Sequence, residues 1–284
     1  MYYFNGPTTL GSLRDIRLIR GGKKIASIDF YDYLLTGKKP KELEGLQNAQ
    51  LNDLPPLERD GKEILLELLG SPNICSKSWI YRQYDHQVQT NTVETPGGDA
   101  AVLRIKGTSK GIAMSTDGNG RLTYLDPFTG GMIAVAEACR NVSCVGAEPI
   151  ALTDCLNFGD PEREEVYYQL EECIKGITVA ATALNVPVIS GNVSLYNESS
   201  GESIYPTPII GSLGLFEDVQ RAVNSTFKAE GDILIAIGIS ELLGDMGHLA
   251  GSEYLECFYG MVSGSPNIDS VSYTHLTLPT SDLV

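Results

Sequence analysis

Apolar and polar residues alternate in short runs along most of this chain, and the period of the runs changes several times. Ile16-Arg17-Leu18-Ile19 and Lys24-Ile25-Ala26-Ser27-Ile28 flank Gly21-Gly22-Lys23, which predicts a hairpin turning at the glycines. Residues 38–60 are rich in Pro, Lys, Glu and Asn and predict a linker or surface wrap, leading into a short helix over 61–69 that Ser71-Pro72-Asn73 ends. Two runs, 100–105 and 111–116, predict adjacent antiparallel strands, after which Asp117-Gly118-Asn119-Gly120 breaks the sheet.

Beyond Asp126-Pro127 the period lengthens. Ile133, Ala136 and Arg140 fall at helical spacing over 129–141, with small residues between them that suit close packing. Residues 149–156 read as a strand. Asp160-Pro161 then offers an N-cap and a first-turn proline to a helix carrying Val166, Leu170, Cys173, Ile177, Ala181 and Leu184. Asn185 closes that helix, residues 186–190 form the next strand, and 208–216 another. The composition shifts again at Lys228-Ala229-Glu230-Gly231-Asp232, which puts a domain boundary near residue 220.

Charge narrows the partners. The 284 residues carry a net charge of −15, with 42% hydrophobic and 20% charged residues, so the chain is a globular protein without the basic surface that nucleic acid requires. An anionic ligand would need a divalent cation to carry the attraction. Membrane-spanning runs and a signal-peptide pattern at Met1-Tyr2-Tyr3-Phe4-Asn5-Gly6 are both lacking, which predicts a cytoplasmic location and no membrane partner. The six cysteines, Cys75, Cys139, Cys144, Cys155, Cys173 and Cys257, include no CxxC pair and have three histidines for company, so zinc is not expected and reduced thiols are.

The strongest candidate for chemistry is Gly191-Asn192-Val193-Ser194, where an apolar strand runs into small and amide residues. Gly191 lets the backbone turn or a polyphosphate approach, while Asn192 and Ser194 offer neutral oxygens at alternate positions. Asp154 ends another strand, so two strand termini converge. Read from spacing alone, each residue has a plainer role open to it, as a turn cap, a bend or an Asx turn. Asp117, Asn119 and Asp126 form a second polar cluster beside a glycine turn, open between a nucleotide or metal site and a solvated turn.

Longer motifs carry a family resemblance. Ser76-Lys77-Ser78-Trp79-Ile80-Tyr81-Arg82-Gln83-Tyr84-Asp85-His86-Gln87-Val88, Pro96-Gly97-Gly98-Asp99-Ala100-Ala101-Val102, Tyr124-Leu125-Asp126-Pro127, Gly146-Ala147-Glu148-Pro149, Thr153-Asp154-Cys155-Leu156-Asn157-Phe158-Gly159, Gly191-Asn192-Val193-Ser194-Leu195-Tyr196-Asn197-Glu198 and Tyr205-Pro206-Thr207-Pro208 resemble the synthetase subunit of phosphoribosylformylglycinamidine synthase. The match runs over about residues 44–269 and is to the second half of an internally duplicated subunit.

The resemblance implies an α+β/α/β fold: an aminoimidazole-ribonucleotide-synthetase-like ATP-binding domain, a mixed sheet with helices on one side, followed by a truncated second α/β domain. It implies an ATP-dependent ligase of purine biosynthesis that turns formylglycinamide ribonucleotide (FGAR) and glutamine-derived ammonia into formylglycinamidine ribonucleotide through an O-phosphorylated amide. ATP and Mg2+ are the implied cofactors, and a glutaminase subunit, a small accessory subunit and the first half of the subunit the implied partners. Carried over by position, Asp154 and Gly191 contact ATP, Asn192 ligates magnesium and Ser194 contacts the substrate. Nothing here resembles the first half's acidic-and-histidine motif, so the chain is assigned no catalytic residue and is expected to be inactive alone.

The implied layout is 1–43 as an unassigned hairpin-like segment, 44–75 as linker and short helix, 76–220 as the ATP-binding-type domain, 221–270 as the start of the next domain and 271–284 as a tail foreign to the family. Residues 1–39 are more similar to β-grasp modules of polysaccharide-export proteins. The other readings open at this point are a noncatalytic nucleotide- or carbohydrate-binding module and another ATP-dependent enzyme of the same superfamily.

Overall fold

The computed structural model describes residues 16–20, 23–28, 37–233 and 246–268, with side chains for 37–233 and 248–268. The tail expected at 271–284 lies outside them. In chain order the elements are β1 (Ile16–Arg20), β2 (Lys23–Ile28), α1 (Lys41–Gln47), α2 (Gly61–Gly70), α3 (Ser78–Tyr81), β3 (Thr92–Glu94), β4 (Ala101–Arg104), β5 (Gly111–Asp117), α4 (Gly120–Leu125), α5 (Pro127–Cys144), β6 (Glu148–Asn157), α6 (Glu164–Ala183), β7 (Val188–Ser194), β8 (Glu198–Ser199), β9 (Glu202–Ser203), β10 (Thr207–Phe216) and α7 (Glu253–Tyr259). β1 and β2 pair antiparallel, as their sequence pattern predicts.

A six-stranded mixed sheet runs β3-β4-β5-β10-β6-β7. All its pairs are antiparallel except β6 with β7, which are parallel. Parallel neighbours require a crossover long enough to return the chain to the same end, and α6 supplies it. Alternate residues of the inner strands, Ala113 and Ser115, Leu152 and Leu156, Ile210 and Ser212, are buried on one face. That face is covered by α5 and α6, whose Val135, Ala138, Cys139, Cys173 and Ile177 join Leu152, Leu156, Phe158 and Ile210 in the main core. The opposite face carries Met114 and Ile209, each more than a third exposed.

Small residues set the distance between the two helices. A Cβ on Gly131 would run into the Cys173 carbonyl oxygen, and one on Gly176 into that of Phe128. Side chains at those positions would force the backbones apart and break the close packing that interiors require.

Four sequence expectations shift. The long helix begins at Glu164 and not at Asp160-Pro161, because Asp160 Oδ1 accepts from Glu162 N–H at 2.9 Å and its carbonyl from Arg163 N–H at 3.2 Å, closing a turn before the helix starts. The strand expected to end at Ser190 continues through Ser194, held in register by β6. A short helix, α4, follows the glycine turn, with Asn119 Oδ1 accepting from Arg121 N–H at 3.1 Å and Leu122 N–H at 3.2 Å. The helix predicted over 129–141 starts earlier, at Pro127, because Asp126 caps it by accepting from Thr129 N–H at 3.0 Å.

Around this unit, Leu43 and Leu51 are buried and Gln47 Nε2 donates to the Leu125 carbonyl at 2.6 Å. Past residue 221, the described chain returns to α4: Arg121 pairs with Glu253 at 2.5 Å and also with Glu256, and Leu255 is fully buried. Among the described residues no helix is long and apolar enough to cross a membrane.

Candidate functional site

The parallel pair β6–β7 brings the candidate residues together. In its register Asp154 lies opposite Gly191, Cys155 opposite Asn192 and Asn157 opposite Ser194. Side chains of facing residues in parallel strands share a face, and neighbours along a strand alternate. Asp154 and Gly191 therefore lie on the helix-covered face with Leu152 and Leu156, whereas Asn192 and Ser194 lie on the open face with Cys155 and Asn157.

Asp154 and Gly191 lie so close that any side chain at 191 would have to displace the Asp154 carboxylate. A Cβ at position 191 would overlap the Asp154 carboxylate. Burial pushes the Asp154 carboxyl above its usual range, so a cation or a hydrogen-bond donor brought by a ligand would be favoured there.

On the open face Asn192 is exposed, and its side-chain amide has no protein partner among the described residues. No group of three or more His, Cys, Asp or Glu residues able to hold a metal occurs among them. An ion held by Asn192 would complete its shell with further oxygens, water and phosphate among them. Magnesium suits this, since it keeps several waters and is commonly held by one or two protein oxygens plus substrate phosphates. The Asp154 carboxylate lies on the other face of the sheet from the Asn192 amide.

Ser194 is tied into a loop junction. Its hydroxyl lies 3.2 Å from Asn197 Oδ1, and Asn197 Nδ2 donates to the Phe158 and Ser194 carbonyls, each at 2.9 Å. The Asn157 amide nitrogen donates to the Cys155 carbonyl at 3.1 Å and that of Thr207 at 3.2 Å, joining the end of β6 to the start of β10. Arg163 braces the same junction through Glu165 at 2.9 Å and Ser203 Oγ at 3.2 Å. Asn157, Arg163 and Asn197 were not singled out from sequence, where nothing separates them from ordinary loop residues; only the fold shows what they hold.

The second polar cluster divides. Asn119 and Asp126 spend their side chains capping α4 and α5. Asp117 accepts from Asn141 Nδ2 at 2.9 Å through one oxygen, while its other oxygen is buried without a partner. Burial raises the Asp117 carboxyl, with the Asn141 hydrogen bond opposing.

Residues 97–216, which carry β4 to β10 together with α4, α5 and α6, match the family described as AIR synthase related protein, N-terminal domain. The wider chain is 49% identical over 268 residues to phosphoribosylformylglycinamidine synthase subunit PurL of Caldanaerobacter subterraneus, covering 91% of this chain and 36% of that protein. It is 51% identical over 229 residues to the same subunit of Moorella thermoacetica, covering 81% of this chain and 30% of the relative. The solved structure of PurLQS from Thermotoga maritima superposes with a TM-score of 0.51 at 28% identity, covering 75% of this chain and 33% of that one. The chain is thus homologous to phosphoribosylformylglycinamidine synthase subunit PurL and spans about a third of the length of these relatives.

Proposed function

We propose that this chain is part of the ATP-dependent ligase that converts FGAR and glutamine-derived ammonia into formylglycinamidine ribonucleotide in purine biosynthesis. The observation that supports this best is 49% identity to a PurL subunit over 91% of the chain. In this reading Asp154 and Gly191 contact ATP, Asn192 offers its amide oxygen to Mg2+, and Ser194 contacts the nucleotide substrate. Mg2+ when bound supplies charge neutralisation at the phosphates.

The substrate amide is activated by transfer of the γ-phosphoryl group to its oxygen, which releases ADP. Ammonia adds to the same carbon, and the C–O bond then breaks with phosphate as leaving group. Such a transfer depends on positioning and charge stabilisation more than on covalent help from the protein. In this reading Asp154, Gly191, Asn192 and Ser194 do that kind of work, holding and orienting the ligands. The remaining two-thirds of the relatives' length, a glutaminase subunit and a small accessory subunit complete the machinery, and a cytoplasmic location goes with it. The chain alone is expected to bind ATP without turning it over.

Calorimetric titration of ATP with and without Mg2+ tests the reading. Binding should tighten with Mg2+ in the wild type and lose that dependence in Asn192→Ala. Binding indifferent to Mg2+, or an Asn192→Ala variant that behaves as wild type, would remove the metal role. A preference for a carbohydrate over ATP would favour the noncatalytic module.

A further inference from the structure

We infer that Asn197 is a positioning residue that commits the Ser194 hydroxyl to act as a hydrogen-bond acceptor toward the substrate; this rests on the substrate role proposed for Ser194. The hydrogen-bond partners of the Asn197 amide fix its orientation. Its nitrogen faces two main-chain carbonyls, Phe158 and Ser194, each 2.9 Å away. Carbonyls only accept, so the nitrogen must occupy that side and the oxygen the other.

The amide oxygen then lies 3.2 Å from Ser194 Oγ, and it can only accept. The nitrogen also comes within 3.1 Å of that hydroxyl, but its two protons are taken by the two shorter contacts. A serine hydroxyl has one proton, and Asn197 Oδ1 receives it. What Ser194 presents to a ligand is a pair of lone pairs, matched to a ribose hydroxyl or an amide N–H of FGAR. An ionised phosphate, which has no proton to give, is a poor match.

Independent features show that the turn is held in advance of binding. Tyr196 adopts φ 59°, a left-handed conformation unfavourable for a non-glycine residue. It persists because its N–H donates to Gly159 O at 2.9 Å and the Asn197 N–H to Phe158 O at 3.1 Å. Main chain and amide side chain of Asn197 therefore both fasten β7 to the loop after β6, with Ser194 at the fastening point.

Titration of FGAR and of ATP·Mg2+, separately, into wild type, Asn197→Ala, Ser194→Ala and the double variant provides the test. FGAR affinity should fall about tenfold in Asn197→Ala while ATP affinity stays unchanged, and the double variant should bind FGAR no more weakly than Ser194→Ala. Equal losses for both ligands, or additive losses in the double variant, would overturn the inference. Asn197→Gln, which keeps the amide but moves it by one methylene, repeats the comparison if the alanine variant does not fold. Failure of the wild type to bind FGAR would overturn the substrate role of Ser194 and the acceptor role with it. Hydrogen exchange then judges the fastening separately: faster exchange at 194–197 in Asn197→Ala supports it, and unchanged exchange overturns it.

Discussion

The contact between Arg121 and α7 allows a quantitative prediction. Arg121 Nη2 lies 2.5 Å from Glu253 Oε2, its other terminal nitrogen pairs with Glu256, and the Arg121 and Glu253 side chains are only 15% and 10% exposed. The Arg121 guanidinium holds the Glu253 carboxyl down at about 2, helped by the Asn73 amide. Set against the ordinary 4.5, at ~1.4 kcal/mol per pH unit, that shift has a ceiling of about 3.5 kcal/mol. Because α7 lies at the surface, solvent screening brings the contribution to about 1–2 kcal/mol. The sign follows from the depressed value: the stabilisation is complete above about 4.5 and is lost as the pH falls toward about 2. Urea unfolding of wild type, Arg121→Met, Glu253→Gln and the double variant should give a coupling of about 1–2 kcal/mol at neutral pH. The gap between wild type and Glu253→Gln should shrink steadily on acidification through that window. A gap independent of pH, or a coupling near zero, would show that the pair is a surface contact of no energetic consequence.

Three further outcomes are expected. Gly191→Ala should abolish ATP binding by calorimetry and cost roughly 1–3 kcal/mol in a thermal melt, since the new methyl must displace the Asp154 carboxylate. Gly176→Ala should destabilise by about 1–3 kcal/mol through its clash with the Phe128 carbonyl, while Gly45→Ala, with open space around it on α1, should stabilise by roughly 0.5–1 kcal/mol. Burial pushes the Cys139 and Cys173 thiols up to about 11 and about 12, so neither should react with iodoacetamide at neutral pH until the protein unfolds; mass spectrometry of the labelled peptides checks this.

Much of the sheet could be read from the chain because alternation is a direct imprint of a half-covered surface. The antiparallel pair β4–β5 and strands β6 and β10 fall where apolar residues alternate or cluster, and the buried stripe of α6 where Val166, Cys173 and Ile177 recur. The differences come where one local signal serves two structures. Asp160-Pro161 suits a turn as well as a helix start, and the turn won because the chain must leave β6 before α6 can pack across it. Gly191, Asn192 and Ser194 have little intrinsic preference for a strand, and it is pairing with β6 that extends β7 through them. Asn119 looks like a turn residue because a helix cap and a turn use the same side-chain acceptor. The candidate site was legible as a set of residues and not as a geometry: Asn197 matters only because the loop at Phe158 lies beside it, a contact 39 positions away in sequence.

The geometry also constrains how one ligand set can use these residues. Gly191 and Asn192 are consecutive in a strand, so what touches the side of Gly191 that faces Asp154 is on the other side of the sheet from what touches the Asn192 amide. In the middle of a sheet such a pair could never serve one ligand. β7, however, has β6 on one side and ends the sheet on the other, and Val188, Ile189 and Val193 are all more than a third exposed. Its outer edge can be approached from both faces. If Asp154 and Gly191 contact ATP and Asn192 holds its metal as proposed, the nucleotide would have to lie along that edge to reach both residues. A nucleotide placed flat on the open face would leave Asp154 untouched. Loss of ATP binding in Asp154→Ala together with loss of Mg2+ dependence in Asn192→Ala fits only the edge placement, whereas an Asp154→Ala variant that folds and binds ATP normally would return the ligand to the open face.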